Sequence, residues 1–402
     1  MISIDEALKM ILENTSVLEA ETVSVHKALG RTLAQNVEAD RPLPPYDRVA
    51  MDGYAVKSSD FTSNTAKLKH AGDIAAGSDF NQELQSGEAF KIMTGAPCPT
   101  GADAVVMIEH CQKDGDWVTM HEELMAPGLN IAPRGEDAPR GKLLIPEGTI
   151  LNTAGIAICA SVGLTNILVY RKPKISVMST GTEIIPADQT PLPHQIRDCN
   201  SFSSRSLSKV LGIEAKFLGI GEDDKTVQSS MIKEGLQDDI LILSGGVSMG
   251  DYDYIPGLLA ACGVKKIFHS IKMKPGKPVW FGKSDNGTYV FGLPGNPVSV
   301  QVSFKLLVET LIQKLSGNKS PEPEFLALEL ASPIKIRTPR ENFVPGRFEF
   351  KSGKTVLTQV QLQGSGDFSN LVTSHGLIRC PIGVGEVEKG TLVRFIPWNR
   401  IT

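Results

Sequence analysis

The sequence lacks paired cysteines and clustered histidines. Its six cysteines, Cys98, Cys111, Cys159, Cys199, Cys262 and Cys380, are scattered with no CxxC pair, and its seven histidines form no HxH or HExxH pattern. Such usage points to a reduced, cytoplasmic protein with neither a disulfide framework nor a structural zinc. An excess of basic charge is also missing. The 41 Lys and Arg residues face 45 Asp and Glu, a net charge of −4. Duplex nucleic acid needs a broad Lys/Arg surface, so it is excluded as the main partner, although a local basic pocket for a small anion is not. Asp5 and Glu6 stand where a secretory leader would be basic and then apolar, so secretion is not expected. Long apolar runs are lacking too. Gly148 to Tyr170 is a stretch of 23 residues without a charge, but nine of them are Gly, Ser, Thr or Asn. Gly163 and Thr165-Asn166 divide it. This predicts a buried helix over 153–162, a glycine stop and a strand over 166–170, and no membrane span.

What the chain does have is punctuation: 38 glycines and 25 prolines in 402 residues. At roughly 150 residues per domain, the length predicts two to four domains. Ser3-Ile4-Asp5-Glu6 is a capping box ahead of apolar Ile4, Ala7, Leu8, Ile11 and Leu12, which predicts an opening amphipathic helix. A second short helix is expected over 24–29, stopping at Gly30. From about 40 to 147, closely spaced Gly and Pro separate short apolar runs such as Ala104–Ile108 and Trp117–Met120; this predicts a β-rich domain. From 171 to 317 strands and helices alternate. Strands are expected at 174–178, 214–219, 240–243, 279–281 and 288–291, and helices at 200–211, 223–235, 254–261 and 298–316. That is the pattern of parallel βαβ units. Beyond the linker-like Ser316–Pro323, residues 324–402 alternate apolar and polar in short runs, as a small β-barrel or sandwich would.

In an open parallel sheet, ligands bind beyond the carboxyl ends of the strands. Four predicted strand ends run into Ser179-Thr180-Gly181-Thr182-Glu183, Gly219-Ile220-Gly221-Glu222-Asp223-Asp224, Ser244-Gly245-Gly246-Val247-Ser248 and Gly292-Leu293-Pro294-Gly295-Asn296-Pro297. Glycine lets backbone N–H groups approach an anion, and the helix N-termini that follow favour negative charge, although βα turns use glycine in any case. The carboxylates Glu183, Asp223 and Asp253 would converge at one sheet edge, beside the proline-flanked turn Lys272-Met273-Lys274-Pro275-Gly276-Lys277-Pro278. Acidic oxygens suit Mg²⁺, commonly held by one or two carboxylates plus substrate phosphates that lysines neutralise. Gly246-Val247-Ser248-Met249-Gly250 also matches the nucleophile elbow of a serine hydrolase with Ser248 as nucleophile. However, no helix follows at once, and neither His269 nor His375 has a triad setting.

Taken in order, eight motifs are similar to those of the molybdopterin molybdenumtransferase family, which includes the E domain of gephyrin and its plant counterpart. They are Ala50–Ala55, Met93-Thr94-Gly95-Ala96-Pro97, Arg134-Gly135-Glu136-Asp137, Ser179–Glu183, Ser244–Ser248, Lys274-Pro275-Gly276-Lys277-Pro278, Leu293–Pro297 and Gln363-Gly364-Ser365. The resemblance implies a multi-domain α/β plus β protein. A discontinuous N-terminal helical domain would cover 1–45 and 140–170, and a β-rich insertion domain 46–139. A central α/β molybdopterin-binding domain with a mostly parallel sheet would cover 171–318, and a C-terminal β-barrel 324–402. The implied reaction is insertion of molybdate into adenylylated molybdopterin with Mg²⁺-dependent release of AMP, by a cytoplasmic homodimer whose sites are shared between subunits. The implied catalytic residues are Asp52, Thr94, Asp137, Glu183, Asp223 and Asp253, with Asp223 and Asp253 also holding the metal. Asp52, Thr94 and Asp137 would serve the α/β domain of the other subunit. The implied substrate-binding residues are Ser179, Thr180, Gly181, Ser244, Gly245, Gly246, Ser248, Lys274, Gly276, Lys277, Pro294, Pro297, Ser299, Arg340 and Ser365. Transient contact with the molybdopterin adenylyltransferase and with molybdoenzyme maturation proteins is implied as well. A scaffold protein on the same fold is the alternative from a different functional class, but the chain has neither a long linker nor an additional fused domain to favour it. One departure stands out: the family usually has Ala-Asn-Gly-Leu where this chain has Ser374-His375-Gly376-Leu377, and His375 is read as a core or turn residue.

Overall fold

The structure is a computed structural model, described here for residues 1–78, 81–221, 224–246, 255–351, 353–364, 366–383 and 385–399. By internal contacts the chain forms two compact units, one of Met1–Gln35, Gly148–Thr153 and Asn166–Thr402, the other of Asn36–Glu147 and Ala154–Thr165.

The larger unit is organised by a six-stranded sheet. Its order is Lys216–Gly221, Ile175–Thr180, Ile240–Ser244, Tyr289–Leu293, Trp280–Ser284 and Val264–His269. The first four strands are parallel, and the last two run antiparallel to their neighbours. Every residue of Ile175–Thr180, Ile240–Ser244 and Tyr289–Leu293 is buried, as their unbroken apolar runs require of strands covered on both faces. Alternate side chains serve opposite cores. Val177, Ile242 and Phe291 pack with Leu307, Leu311 and the N-terminal helix residues Ile4 and Ile11. Met178, Leu241, Leu243 and Val290 pack with Ile232, Ile255 and Leu259.

The N-terminal helix, Ile4–Glu13, is capped reciprocally. The Glu6 N–H donates to Ser3 Oγ (3.1 Å) and the Ser3 N–H donates to Glu6 Oε2 (2.7 Å). The expected helix over 24–29 is reduced to a single 3₁₀ turn, Val25–Lys27, which follows a strand, Ala20–Ser24. That strand pairs antiparallel with Asn166–Tyr170, and β-branched Thr22 and Val23 suit it better than a helix.

Near the C-terminus five strands close on themselves: Leu326–Leu330, Glu341–Lys351, Lys354–Gln359, Gly376–Cys380 and Leu392–Pro397. Leu330, Leu357, Ile378, Val393 and Phe395 fill the barrel. The Ser374-His375 departure is explained by packing. The His375 ring lies 4.4 Å from that of Phe348, whose N–H donates to His375 Nδ1 (3.3 Å), while Ser374 Oγ accepts from Trp398 Nε1 (2.8 Å).

The smaller unit holds a mixed sheet in the order Ala104–Met107, Gly53–Val56, Glu88–Ile92, Thr65–Ile74, Trp117–His121 and Cys111–Asp114. One face packs Tyr54, Leu68, Val106 and Val118, and the other packs Val49, Ala55, Phe90 and Val105. Among the described residues, no helix is long and apolar enough to cross a membrane.

The long helical run Pro297–Leu315, with a π-helical stretch at Phe304–Val308, buries an ion pair. Lys305 Nζ donates to Glu309 Oε1 (3.1 Å), Glu309 Oε2 (2.9 Å) and the carbonyl oxygen of Trp398 (2.8 Å). Both side chains are under a tenth exposed. Removing one partner strands a buried charge, so Lys305→Met is expected to cost about 3 kcal/mol in urea unfolding, and Lys305→Met with Glu309→Leu clearly less. Equal losses from the single and double variants would contradict this account.

Candidate active site at the carboxyl ends of the parallel strands

The strand Ile175–Thr180 is so deeply buried that its last polar residues have to find partners inside the protein. Ser179, 2 % exposed, donates through Oγ to Asp198 Oδ1 (3.0 Å) and lies 3.3 Å from Ser244 Oγ on the neighbouring strand. Thr180 Oγ1 donates to the Ser244 carbonyl (3.3 Å). Asp198 also accepts from the N–H (3.1 Å) and the Oγ (2.5 Å) of Ser201. It is placed there by a short parallel ladder, Ile184–Ile185 with Ile196–Arg197, and by its own N–H donating to the Ile185 carbonyl. Asn200 then ties the next helix to the fourth strand end, its Nδ2 donating to the Gly295 carbonyl (2.7 Å).

Gly245 follows Ser244 with φ +91°, and a Cβ there would collide with the Thr180 carbonyl oxygen, so two backbones meet where only glycine fits. The Glu183 carboxylate lies over Gly181: a Cβ on Gly181 would be 2.5 Å from Glu183 Oε2. Beside this edge opens a cavity of about 1060 Å³, lined by Gly181, Thr182, Asp198, Phe202, Phe217, Gly219, Ile220 and Asp224 among others. Asp224 itself caps the helix Lys225–Gly235. Accepting the N–H groups of Val227 and Thr226 holds its carboxyl below the usual range.

The lysine turn belongs to a second cavity, of about 790 Å³. Lys274, Pro275, Val298, Lys335, Arg337, Asn342 and Gln363 are among its walls. The strand Met273–Lys274 pairs parallel with Glu341 and Asn342 of the barrel, and Arg340 Nη1 donates to the Met273 carbonyl (3.4 Å). Gly276, at φ +101°, leaves no room for a side chain, because a Cβ there would strike both Met273 Cε and Ser303 Oγ. Lys277 is exposed, Pro294 and Ser299 are buried, and Pro297 opens the helix Pro297–Ser303. No hydrogen bond or ion pair among the described residues joins Lys274 or Lys277 to Glu183.

In the smaller unit, Asp52 Oδ1 accepts both the N–H and the Oγ1–H of Thr94, each at 2.7 Å. The backbone bond and then the hydroxyl bond hold its carboxyl below the usual range. Asp137 is joined to its surroundings through its backbone, its N–H donating to the Leu43 carbonyl (2.9 Å) and its carbonyl accepting from Lys142 Nζ (2.7 Å). Asp223, Ser248, Asp253 and Ser365 lie outside the described residues.

Asp198, Phe202, Phe217, Lys335 and Arg337 line these cavities without having been singled out from the sequence. Asp198 had one signal, its position two residues ahead of the predicted helix at 200. Lys335 and Arg337 had another: in Ile334-Lys335-Ile336-Arg337 the isoleucines are buried and the cations exposed, the alternation of a strand edge.

The comparisons with known proteins agree with this layout. Residues 2–163 match the family described as MoeA N-terminal region (domain I and II), residues 176–314 a probable molybdopterin binding domain, and residues 327–398 the MoeA C-terminal region (domain IV). The molybdopterin molybdenumtransferase of Haemophilus influenzae is 34% identical over 406 residues, covering 100% of both chains; that of Bacillus subtilis is 31% identical, over 98% of this chain and 94% of its own. A crystal structure of a molybdopterin biosynthesis moeA protein from Pyrococcus horikoshii superposes with a TM-score of 0.78 at 30% identity, covering 99% of both chains. A second from that organism superposes with a TM-score of 0.83 at 27% identity. Neither the scaffold nor the serine hydrolase reading is favoured by these likenesses. With similarity running end to end through all three regions, the chain belongs to the molybdopterin molybdenumtransferase (MoeA) family.

Proposed function

We propose that this protein inserts molybdate into the dithiolene of adenylylated molybdopterin and releases AMP, the last step of molybdenum cofactor biosynthesis. The observation that carries the reading is the hydroxyl-lined, glycine-paired strand edge beside the cavity of about 1060 Å³, inside the region matched as a molybdopterin binding domain. Backbone N–H groups at Gly181 and Gly246 suit phosphate oxygens, while that of Gly245 is spent on the Leu293 carbonyl (3.1 Å), and Phe202 and Phe217 offer flat apolar walls for ring systems. Glu183, exposed at this edge, is assigned as the catalytic carboxylate. Molybdate, a tetrahedral dianion, suits the Lys274 and Lys277 turn, with Arg340, Ser299 and Ser365 completing the anion pocket and Gly276, Pro294 and Pro297 shaping it.

The donors at the strand ends are oxygens, which fits Mg²⁺, and Asp223 and Asp253 would hold it. When bound, it supplies charge neutralisation for the phosphate that leaves with AMP. We place the enzyme in the cytoplasm as a homodimer, with Asp52, Thr94 and Asp137 donated to the other subunit's site. Within that reading the four domains are 1–45 with 140–170, 46–139, 171–318 and 324–402, and Ser179, Thr180, Ser244 and Ser248 line the pterin side. Contacts with the molybdopterin adenylyltransferase and with molybdoenzyme maturation proteins would be transient.

The direct test supplies purified protein with adenylylated molybdopterin, Mg²⁺ and molybdate. AMP release and an active cofactor are expected, and their absence would sink the proposal. Lys274→Ala should lower the AMP release rate by about a hundredfold, as loss of one pre-positioned charge partner does; an unchanged rate would exclude the lysine turn from the reaction.

Asp198 acts one step back, through Ser179 and Ser201. Asp198→Asn should lower kcat by about tenfold to a hundredfold with little change in KM, because it misplaces the strand edge rather than removing a substrate contact. A change confined to KM would refute that positioning role. Asp52 provides a pH check. Thr94→Val removes the hydroxyl bond, so the Asp52 carboxyl should titrate at higher pH than in the wild type, measured by carbon-13 NMR. In the wild type the stabilisation from this depressed pKa is present above the unfolded-state value and is lost as pH falls through the folded value.

A further inference from the structure

A third cavity, of about 540 Å³, lies at the opposite end of the parallel sheet. Arg31, Tyr170 and Lys172 form part of its wall, and Leu29, Ile213 and Ile312 another part. Lys172 comes just ahead of the strand Ile175–Thr180, and Ile213 just ahead of Lys216–Gly221, so this is the amino end of the sheet. Its volume is that of a small-molecule pocket.

Its charge is one-sided. Two cations line it, and no Asp or Glu does so among the described residues. Arg31 spends Nη2 on Glu21 Oε1 (2.5 Å) and on the Tyr170 carbonyl (2.9 Å). Its Nε–H is buried with no acceptor, on a side chain only 11% exposed. Buried donors of this kind are normally matched, so an unmatched one calls for an acceptor. Lys172 Nζ donates to the carbonyls of Leu211 (3.1 Å) and Gly212 (2.9 Å); an ammonium has a third hydrogen to give. Burial, and then the nearby Arg31 charge, pull the Lys172 pKa below its ordinary value. A bound anion would relieve that repulsion.

We propose that this cavity binds a small phosphate monoester, its phosphate held by the Arg31 guanidinium and Lys172 Nζ and its organic part resting on Leu29, Ile213 and Ile312. A dianionic phosphate supplies acceptors to both donors at once, and guanidinium with ammonium is a pairing suited to it. The apolar wall favours an ester over free phosphate. This site is independent of the molybdate reading, because none of its lining residues belongs to the lysine turn or to the strand edge described above.

Calorimetric titration of the intact protein with phenyl phosphate, inorganic phosphate and phenol tests it. Phenyl phosphate should bind at least tenfold more tightly than inorganic phosphate, and phenol should not bind detectably. Lys172→Gln should weaken phenyl phosphate binding at least tenfold, while Lys113→Gln, at an exposed lysine of the smaller unit, should leave it unchanged. Unchanged binding in Lys172→Gln, or an equal loss in Lys113→Gln, would overturn the site, and inorganic phosphate binding as tightly as the ester would overturn the ligand class. Should Lys172→Gln not fold, the wild-type Arg31 Nε–H resonance, identified by its absence in Arg31→Lys, decides: it should shift on addition of phenyl phosphate, and a stationary signal would refute the proposal.

Discussion

Burial of the central parallel strands on both faces is the constraint from which the larger unit follows. Ile175–Thr180, Ile240–Ser244 and Tyr289–Leu293 have no exposed residue. Their apolar stretches satisfy two cores, but each strand has to end, and Ser179, Thr180 and Ser244 are polar residues within the last buried positions. Their side chains have little access to water there. They bond to one another and to Asp198, so the burial that makes the sheet also makes a fixed polar edge. Glycine at 245 then brings the neighbouring backbone close enough for that edge to be continuous.

Much of this was legible because it is local. The capping box at Ser3 and Glu6 forms as its spacing requires, and the uncharged stretch after Gly148 resolves into a helix, Thr153–Ser161, and a strand, Asn166–Tyr170. What escaped reading depends on distant partners. Residues 20–24 are a strand because Asn166–Tyr170 pairs with them, and β-branched Thr22 and Val23 are too short a local signal to announce it. Val264–His269 escaped because Lys265 and Lys266 interrupt its alternation; as an edge strand it tolerates them. Asp198 looks like one more acid in a polar loop until the Ile184–Ile185 ladder carries it beneath Ser179.

The candidate site follows the same division. Its motif residues were visible as Gly, Ser and Lys at strand ends, because backbone approach and oxyanion chemistry limit which residue types serve there. The cavity walls were less visible. Phe202 and Phe217 are exposed aromatics on a helix and on a strand edge, and only the fold brings them to one opening. Lys335 and Arg337 reach the cavity of Lys274 because Met273–Lys274 joins the barrel strand beginning at Glu341.

A net charge of −4 is a poor beginning for a protein whose proposed substrates are all anions. The resolution lies in how the acids are used. Asp198 accepts from Ser179 and twice from Ser201; Asp224 accepts two helix N–H groups; Asp52, in the smaller unit, accepts twice from Thr94. Each carboxylate is thereby surrounded by donors that offset its field, since a hydrogen bond to a charged acceptor is stronger than a neutral one and delocalises part of that charge. The cations are treated in the opposite way. Lys274, Lys335 and Arg337 face a cavity together, and Lys277 stands exposed beside them. Charge is therefore sorted by pairing rather than by number. At the lysine-turn cavity no acid lines the wall among the described residues, so a chain acidic in sum offers positive potential at that opening, whereas Asp188, Asp198 and Asp224 line the cavity at the strand ends.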